Sequence, residues 1–329
     1  MKALFSLIVV IILVLLAYVG VEVANLDFLF GIVIPYAAVL VFFIGFVARV
    51  IGWGRSAVPF KISTTCGQQK SHPWIKRSPT ESPSNKLEVV IRMALEVLLF
   101  RSLFRNVGFD LKNQRLRYNQ TIFLWIAGLA FHYSFLVIFL RHFRLFMEPT
   151  PFFAVILQDF DAFLELGVPA IFISDLVLLA AATYLFLRRV AIPQMRYLSL
   201  ASDYFPLFLI LGIAVSGVLM QQFFKVNIKD VKELTAGLFT FHPTVPSDIG
   251  SAFYIHLFLV SALLFYFPFS KLMHMAGVFM SPTRNLANNS RQKRHVNPWN
   301  YPVTTRHYSD YEDEFREFMK EADMPLEKE

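Results

Sequence analysis

Four histidines interrupt stretches that are otherwise apolar enough to lie in a bilayer. His132 and His142 stand ten residues apart in AFHYSFLVIFLRHF (130–143). His256 and His274 stand eighteen apart in YIHLFLVSALLFYFPFSKLMHM (254–275). An ionisable side chain is expensive to desolvate inside a spanning helix, so each is a functional candidate. A lone buried histidine is explained well enough by a hydrogen bond to a neighbouring helix. Two on each of two segments point to ligation, because neutral imidazole is a good axial ligand for haem iron.

Four ligands would hold two b-type haems. A rise of ~1.5 Å per residue separates His132 and His142 by ~15 Å along one helix, one level towards each side of the membrane. If the two segments run antiparallel, His142 pairs with His256 at the outer level and His132 with His274 at the inner level. Eighteen residues is five full turns, so His256 and His274 would share a face but lie ~27 Å apart. Tilt and a kink at Pro268 must absorb the difference. The single cysteine, Cys66, excludes an internal disulfide and covalent haem attachment through C-x-x-C-H, and it argues against an iron–sulfur cluster held by this chain alone.

The elements that must position these ligands are spanning helices. The chain has 329 residues, is 56% hydrophobic and carries only 17% charged residues, where a soluble domain carries about 25%. Six segments reach the roughly 20 apolar residues that a bilayer requires: about 3–21, 29–51, 120–143, 168–188, 204–224 and 251–272. The first follows Lys2 but lacks a small-x-small cleavage site, and reads as a retained helix. Residues 49–119 hold thirteen Lys or Arg against four acids, whereas 146–167 hold four acids and no Lys or Arg. The positive-inside rule then places both termini in the cytoplasm, in the cytoplasmic membrane. The net charge of +7 fits basic cytoplasmic loops rather than nucleic-acid binding.

The expected fold is thus an all-α membrane protein: a six-transmembrane-helix bundle with a cytoplasmic interfacial helix and a polar cytoplasmic tail. Its parts are two N-terminal helices (1–52), a basic loop (53–118), a four-helix dihaem domain (119–280) and the tail (281–329). In the loop, KLEVVIRMALEVLLFRSLFRNV (86–107) has helical apolar spacing interrupted by Arg92, Arg101 and Arg105. It lies in the interface or docks a partner, or else packs on the protein's own cytoplasmic face. The tail turns from basic (RQKRH) to acidic (YEDEFREFMKEADMPLEKE), and is either disordered or wrapped on a cytoplasmic subunit. Arg141, Arg144, Arg188, Arg189 and Lys271 are candidates for haem propionates, or ordinary helix-end anchors. His72, His295 and His307 read as surface residues. His242 falls in the loop before the last span, and Cys66 in the basic loop.

The stretches FHYSFLVIFLRHF and IHLFLVSALLFYFPFSKLMH, within 119–280, resemble the gamma subunit family of respiratory nitrate reductase, a dihaem cytochrome b that oxidises quinol. That family's ligand pattern is matched by His132, His142, His256 and His274. The first helix, the loop TTCGQQKSHPWIKR (64–77) and the tail SPTRNLANNSRQKRHVNPWNYP (281–302) narrow the resemblance to the DsrM branch, the cytochrome b subunits of the DsrMKJOP complex of sulfur-metabolising microbes. The resemblance implies two haem b groups, exchange of electrons with menaquinone, a DsrK-like cytoplasmic iron–sulfur partner and further complex subunits. The chain departs from the family at Arg141, where the family has glycine, and in an acidic outer loop. Its quinone site must therefore be built differently, with Arg141, Asp161 and Glu165 as candidates. The competing readings are a transporter with a histidine proton relay and a structural anchor for redox subunits.

Overall fold

The computed structural model describes residues 1–56, 67–163, 172–224, 226–247, 249–291 and 305–328. Among the described residues, five helices are long and apolar enough to cross a membrane: Lys2–Glu22, Leu29–Arg55, Ile122–Phe146, Ala201–Phe224 and Ser251–Phe269. They coincide with five of the six expected spans, because an unbroken apolar run of this length has few other stable conformations. The first is α1. The second opens with a π-helical turn, Leu29–Val33, and continues as α2, Ile34–Arg55.

The expected span at 168–188 behaves differently. Its helical part is Ile173–Ala191, with residues 168–171 outside the described set. Asp175 in its first turn and Arg188 and Arg189 in its last keep it out of the five.

Before the third span, the expected single helix over 86–107 is split. Helix α3 (Lys86–Leu99) ends at Phe100, which adopts a left-handed conformation (φ 49°), and α4 (Arg101–Phe104) restarts at once. Asn85 caps α3 by accepting the Glu88 N–H at 3.0 Å. An antiparallel hairpin follows, β1 Val107–Lys112 and β2 Arg115–Gln120. Asn113 and Gln114, both at positive φ, form its two-residue turn. This hairpin adds a short ladder to the otherwise helical fold that was expected, since alternating charged and apolar residues suit a strand.

The remaining elements are α5 (Ile122–Phe146), α6 (Phe152–Phe163), α7 (Ile173–Ala191), α8 (Pro193–Leu198), α9 (Ala201–Leu219), α10 (Ile228–Thr240), α11 (Ser251–Tyr266), α12 (His274–Gly277) and α13 (Tyr308–Glu321). The two histidine-bearing helices have different packing partners. Helix α5 lies against α4, α6, α7 and α10, whereas α11 lies against α1, α2 and α9. The main core joins these groups at one end, through Ala17, Val21, Phe30, Leu234, Phe253 and Tyr254.

The first tail residues are not separate from the basic loop. Asn288 N–H donates to Pro83 O at 2.6 Å, Ser290 Oγ to Gln69 Oε1 at 3.1 Å, and Arg284 pairs with Glu96 at 3.3 Å. Beyond them α13 folds on its own end: the buried Glu312 carboxylate accepts the N–H groups of Glu327 and Lys328 at 2.8 and 3.0 Å.

Candidate functional site

The four histidines meet in the pairs that antiparallel helices dictate. His142, on α5, faces His256, on α11, with ring centroids 6.4 Å apart and planes 11° from parallel. His132, ten residues earlier on α5, meets His274, with centroids 5.9 Å apart and planes at 85°. The first pair is half-buried and the second exposed.

The mismatch between ~15 Å on one helix and ~27 Å on the other is resolved by a break, not a kink. Helix α11 ends at Tyr266, a 3-10 turn spans Phe267–Phe269, and Ser270 is extended (φ −112°, ψ 177°). A second 3-10 turn, Lys271–Met273, then delivers His274. The expected shared helix face of His256 and His274 therefore does not form, because Pro268 cannot continue the ladder.

Each ring has one nitrogen committed. Nδ1–H of His132 donates to Gly128 O at 2.7 Å, that of His142 to Ile138 O at 2.6 Å, and that of His274 to Lys271 O at 2.9 Å. A carbonyl only accepts, so Nδ1 carries the proton and Nε2 keeps its lone pair. His256 reaches the same tautomer by another route. Its Nδ1 lies 2.9 Å from Ser216 Oγ, whose own hydroxyl donates to Ile213 O at 2.9 Å. Gly217 packs beside this ring, where a Cβ would lie 3.4 Å from His256 Cε1, in ordinary contact.

This donor set fits haem. A metal between two imidazole nitrogens, with bonds of about 2 Å, separates the ring centroids by roughly 6 Å. Histidine ligands typically have their other ring N–H bonded in this way. Among the described residues no three His, Cys, Asp or Glu side chains converge on a point. Two opposed imidazoles suit an ion that a macrocycle already holds by its other positions. His142 with His256, and His132 with His274, would each hold one haem.

Next to His142 lies a buried ionic cluster. The Arg141 guanidinium is ion-paired with Asp161 and lies 3.4 Å from Asp175, over the Phe172 ring at 4.1 Å. Asp161 also accepts Ser174 N–H at 3.0 Å and Ser174 Oγ–H at 2.6 Å. Arg141, Asp161 and Ser174 are buried. The cluster ties α5, α6 and α7 together at one end. Two of the three expected quinone residues, Arg141 and Asp161, thus come together, while Glu165 lies outside the described residues. Asp175 and Ser174 were missed as members, although a carboxylate in the first turn of an apolar segment was the available signal. Ser216 was missed as a histidine partner; a hydroxyl in the apolar run LGIAVSGVL was the trace it left.

Three of the other basic candidates, Arg144, Arg189 and Lys271, are also engaged. Arg144 donates to Gln158 Oε1 at 2.9 Å, Arg189 to Ser199 Oγ at 3.4 Å, and Lys271 to Asp203 Oδ1 at 2.6 Å. The split of α3 from α4 brings Phe100 onto His132, centroids 4.9 Å apart. Trp125 Nε1–H donates to Leu99 O at 2.7 Å, and Tyr133 Oη–H to Leu98 O at 2.9 Å. The amphipathic helix therefore docks on the protein itself, beside the His132/His274 pair. His72 stacks on Trp74, and His242 Nδ1 lies 2.8 Å from Thr240 O. Cys66 and His295 lie outside the described residues.

Comparison with known proteins identifies the family. The family described as nitrate reductase gamma subunit matches residues 89–293, which include all four histidines. The chain is 45% identical over 278 residues to the Hdr-like menaquinol oxidoreductase cytochrome b-like subunit of Archaeoglobus fulgidus, covering 82% of this chain and 83% of the relative. It is 40% identical over 273 residues to the subunit of the same description from Archaeoglobus profundus, covering 81% of each. This multi-pass membrane protein belongs to the nitrate reductase gamma subunit family.

Proposed function

We propose that this chain is a dihaem b membrane subunit that passes electrons between menaquinol and a cytoplasmic iron–sulfur subunit. The observation that carries the proposal is the pair of imidazole pairs, 5.9 and 6.4 Å apart, with every Nδ1 committed. His142 and His256 would hold the outer haem, and His132 and His274 the inner. When bound, the haems supply one-electron chemistry at two depths of the bilayer.

The chain's own residues do the rest. The four Nδ1–H bonds fix tautomer and ring orientation. The menaquinol site lies at the outer level, where Asp175, 3.4 Å from Arg141, is the group best placed to take a quinol proton. Arg141 and Asp161 neutralise each other and keep that corner rigid. Helix α7 is the sixth span, its charged ends resting at the two interfaces, so that both termini face the cytoplasm.

The relatives are named as Hdr-like menaquinol oxidoreductase subunits, which supports menaquinol as the quinone and a multi-subunit quinone oxidoreductase as the assembly. The loop and tail resemblance narrows this further, to a DsrM-type subunit of a DsrMKJOP-like complex with a DsrK-like partner, in dissimilatory sulfur metabolism. The test is haem content by pyridine haemochrome in the purified protein and in four single variants, His132→Ala, His142→Ala, His256→Ala and His274→Ala. Two b haems per chain, with about half lost in each variant, are expected. A folded wild-type protein without haem would overturn the proposal in favour of a transporter or an anchor.

A further inference from the structure

His274 is the one ligand that no long helix carries, so something else must aim it. The segment 267–273 is gripped from two sides. On one side, Pro268 sits so close to α2 that a Cβ on Gly45 would lie 2.6 Å from Pro268 Cβ, and the Phe42 and Phe267 rings meet edge to face at 5.4 Å. On the other side, Lys271 Nζ donates to Asp203 Oδ1 at 2.6 Å. Asp203 is buried, and its second oxygen accepts Leu200 N–H at 2.9 Å in the first turn of α9. Within the segment, Ser270 Oγ donates to Phe267 O at 2.8 Å and accepts Leu272 N–H at 3.1 Å. The Lys271 carbonyl, anchored by this arrangement, is the acceptor for His274 Nδ1–H at 2.9 Å.

We propose that Asp203, acting through Lys271, and Gly45, acting through Pro268, are positioning residues that set the orientation of the His274 imidazole. The inference rests on the haem reading above. The Lys271 side chain is 71% exposed, so the ion pair adds little to overall stability. Its effect is on where one carbonyl points.

The experiment is EPR and potentiometric titration of haem-loaded, detergent-purified protein. The His132→Ala variant identifies which signal belongs to the His132/His274 pair. Asp203→Asn keeps an oxygen for Leu200 N–H but loses the ion pair, and should shift that signal and its midpoint while leaving the other unchanged. Asp203→Glu should restore both. Lys271→Met, at an exposed position, should give the same shift, and the double variant should move no further than either single change, as expected for a pair acting as one unit. Gly45→Ala should disturb the same signal. Wild-type signals in Asp203→Asn and Lys271→Met, or equal shifts at both haems, would overturn the proposal. A shift in Lys271→Met alone would also overturn it, pointing to direct contact between Lys271 and the haem. Absence of haem from the wild type would overturn the haem reading itself.

Discussion

The His142/His256 pair and the His132/His274 pair use the same residue type but are supported differently. The first rides on two helices that continue past it, is half-buried, and has rings 11° from parallel. The second combines one helical ligand with one on a broken segment, is exposed, and has rings at 85°. At the first, one ring is oriented by a backbone carbonyl, Ile138 O, and the other by a side-chain hydroxyl, Ser216. At the second, orientation comes from backbone carbonyls and contacts outside the ligand helix. Under the proposed function, the more enclosed level suits holding a quinol away from water, and the more open level suits the approach of a partner.

The largest expected effect on this contrast comes from Arg141. Removing it leaves the buried Asp161 and the half-buried Asp175 without their cation, and breaking a buried pair such as Arg141–Asp161 costs about 3–5 kcal/mol. Arg141→Ala should lower the Tm and deplete the His142/His256 haem before the other, measured by thermal melts and by haem count. Equal depletion at both levels would remove the distinction between them.

A smaller effect is expected at Ser216. Ser216→Ala deletes the acceptor for His256 Nδ1–H, a bond worth about 1 kcal/mol. A less electron-rich ligand stabilises the reduced iron, so the midpoint of that haem should rise while the other stays fixed. Redox titration of the variant reads both.

The smallest effect concerns the folded loop beside the open pair. Burial raises the Glu88 carboxyl, but hydrogen bonds from Arg77 and from Ser84 outweigh it and hold it at about 2, against an ordinary value of 4.5. A depressed folded value means stability that is present above 4.5 and lost as the pH falls towards about 2. Wild type should lose stability over that window more steeply than Glu88→Gln, as followed by melts at a series of pH values. Matching pH profiles would show that the loop is held by other groups.

Much of this was legible in the sequence, and the reasons are physical. Continuous apolar runs fixed five spans, and opposite helix directions fixed which histidine meets which. The break after Pro268 was legible only as a kink, because how far the chain departs from helix depends on Gly45 and Asp203, more than sixty residues away in sequence. The partnership of Asp161 with Ser174 and Arg141 was invisible for the same reason: an acidic loop reads as exposed until a cation is brought to it. The split at Phe100 was hidden because a helical apolar pattern continues across it, and the hairpin at 107–120 because its strands are short and charged.

The measurement that bears most directly on the central claim is EPR of the oxidised, purified protein together with its haem content. Two b haems per chain are predicted, both low-spin, with the perpendicular His132/His274 ligation giving the more anisotropic signal and the near-parallel His142/His256 ligation the less. A folded protein with no haem, or with a high-spin haem lacking its second histidine, would contradict the account.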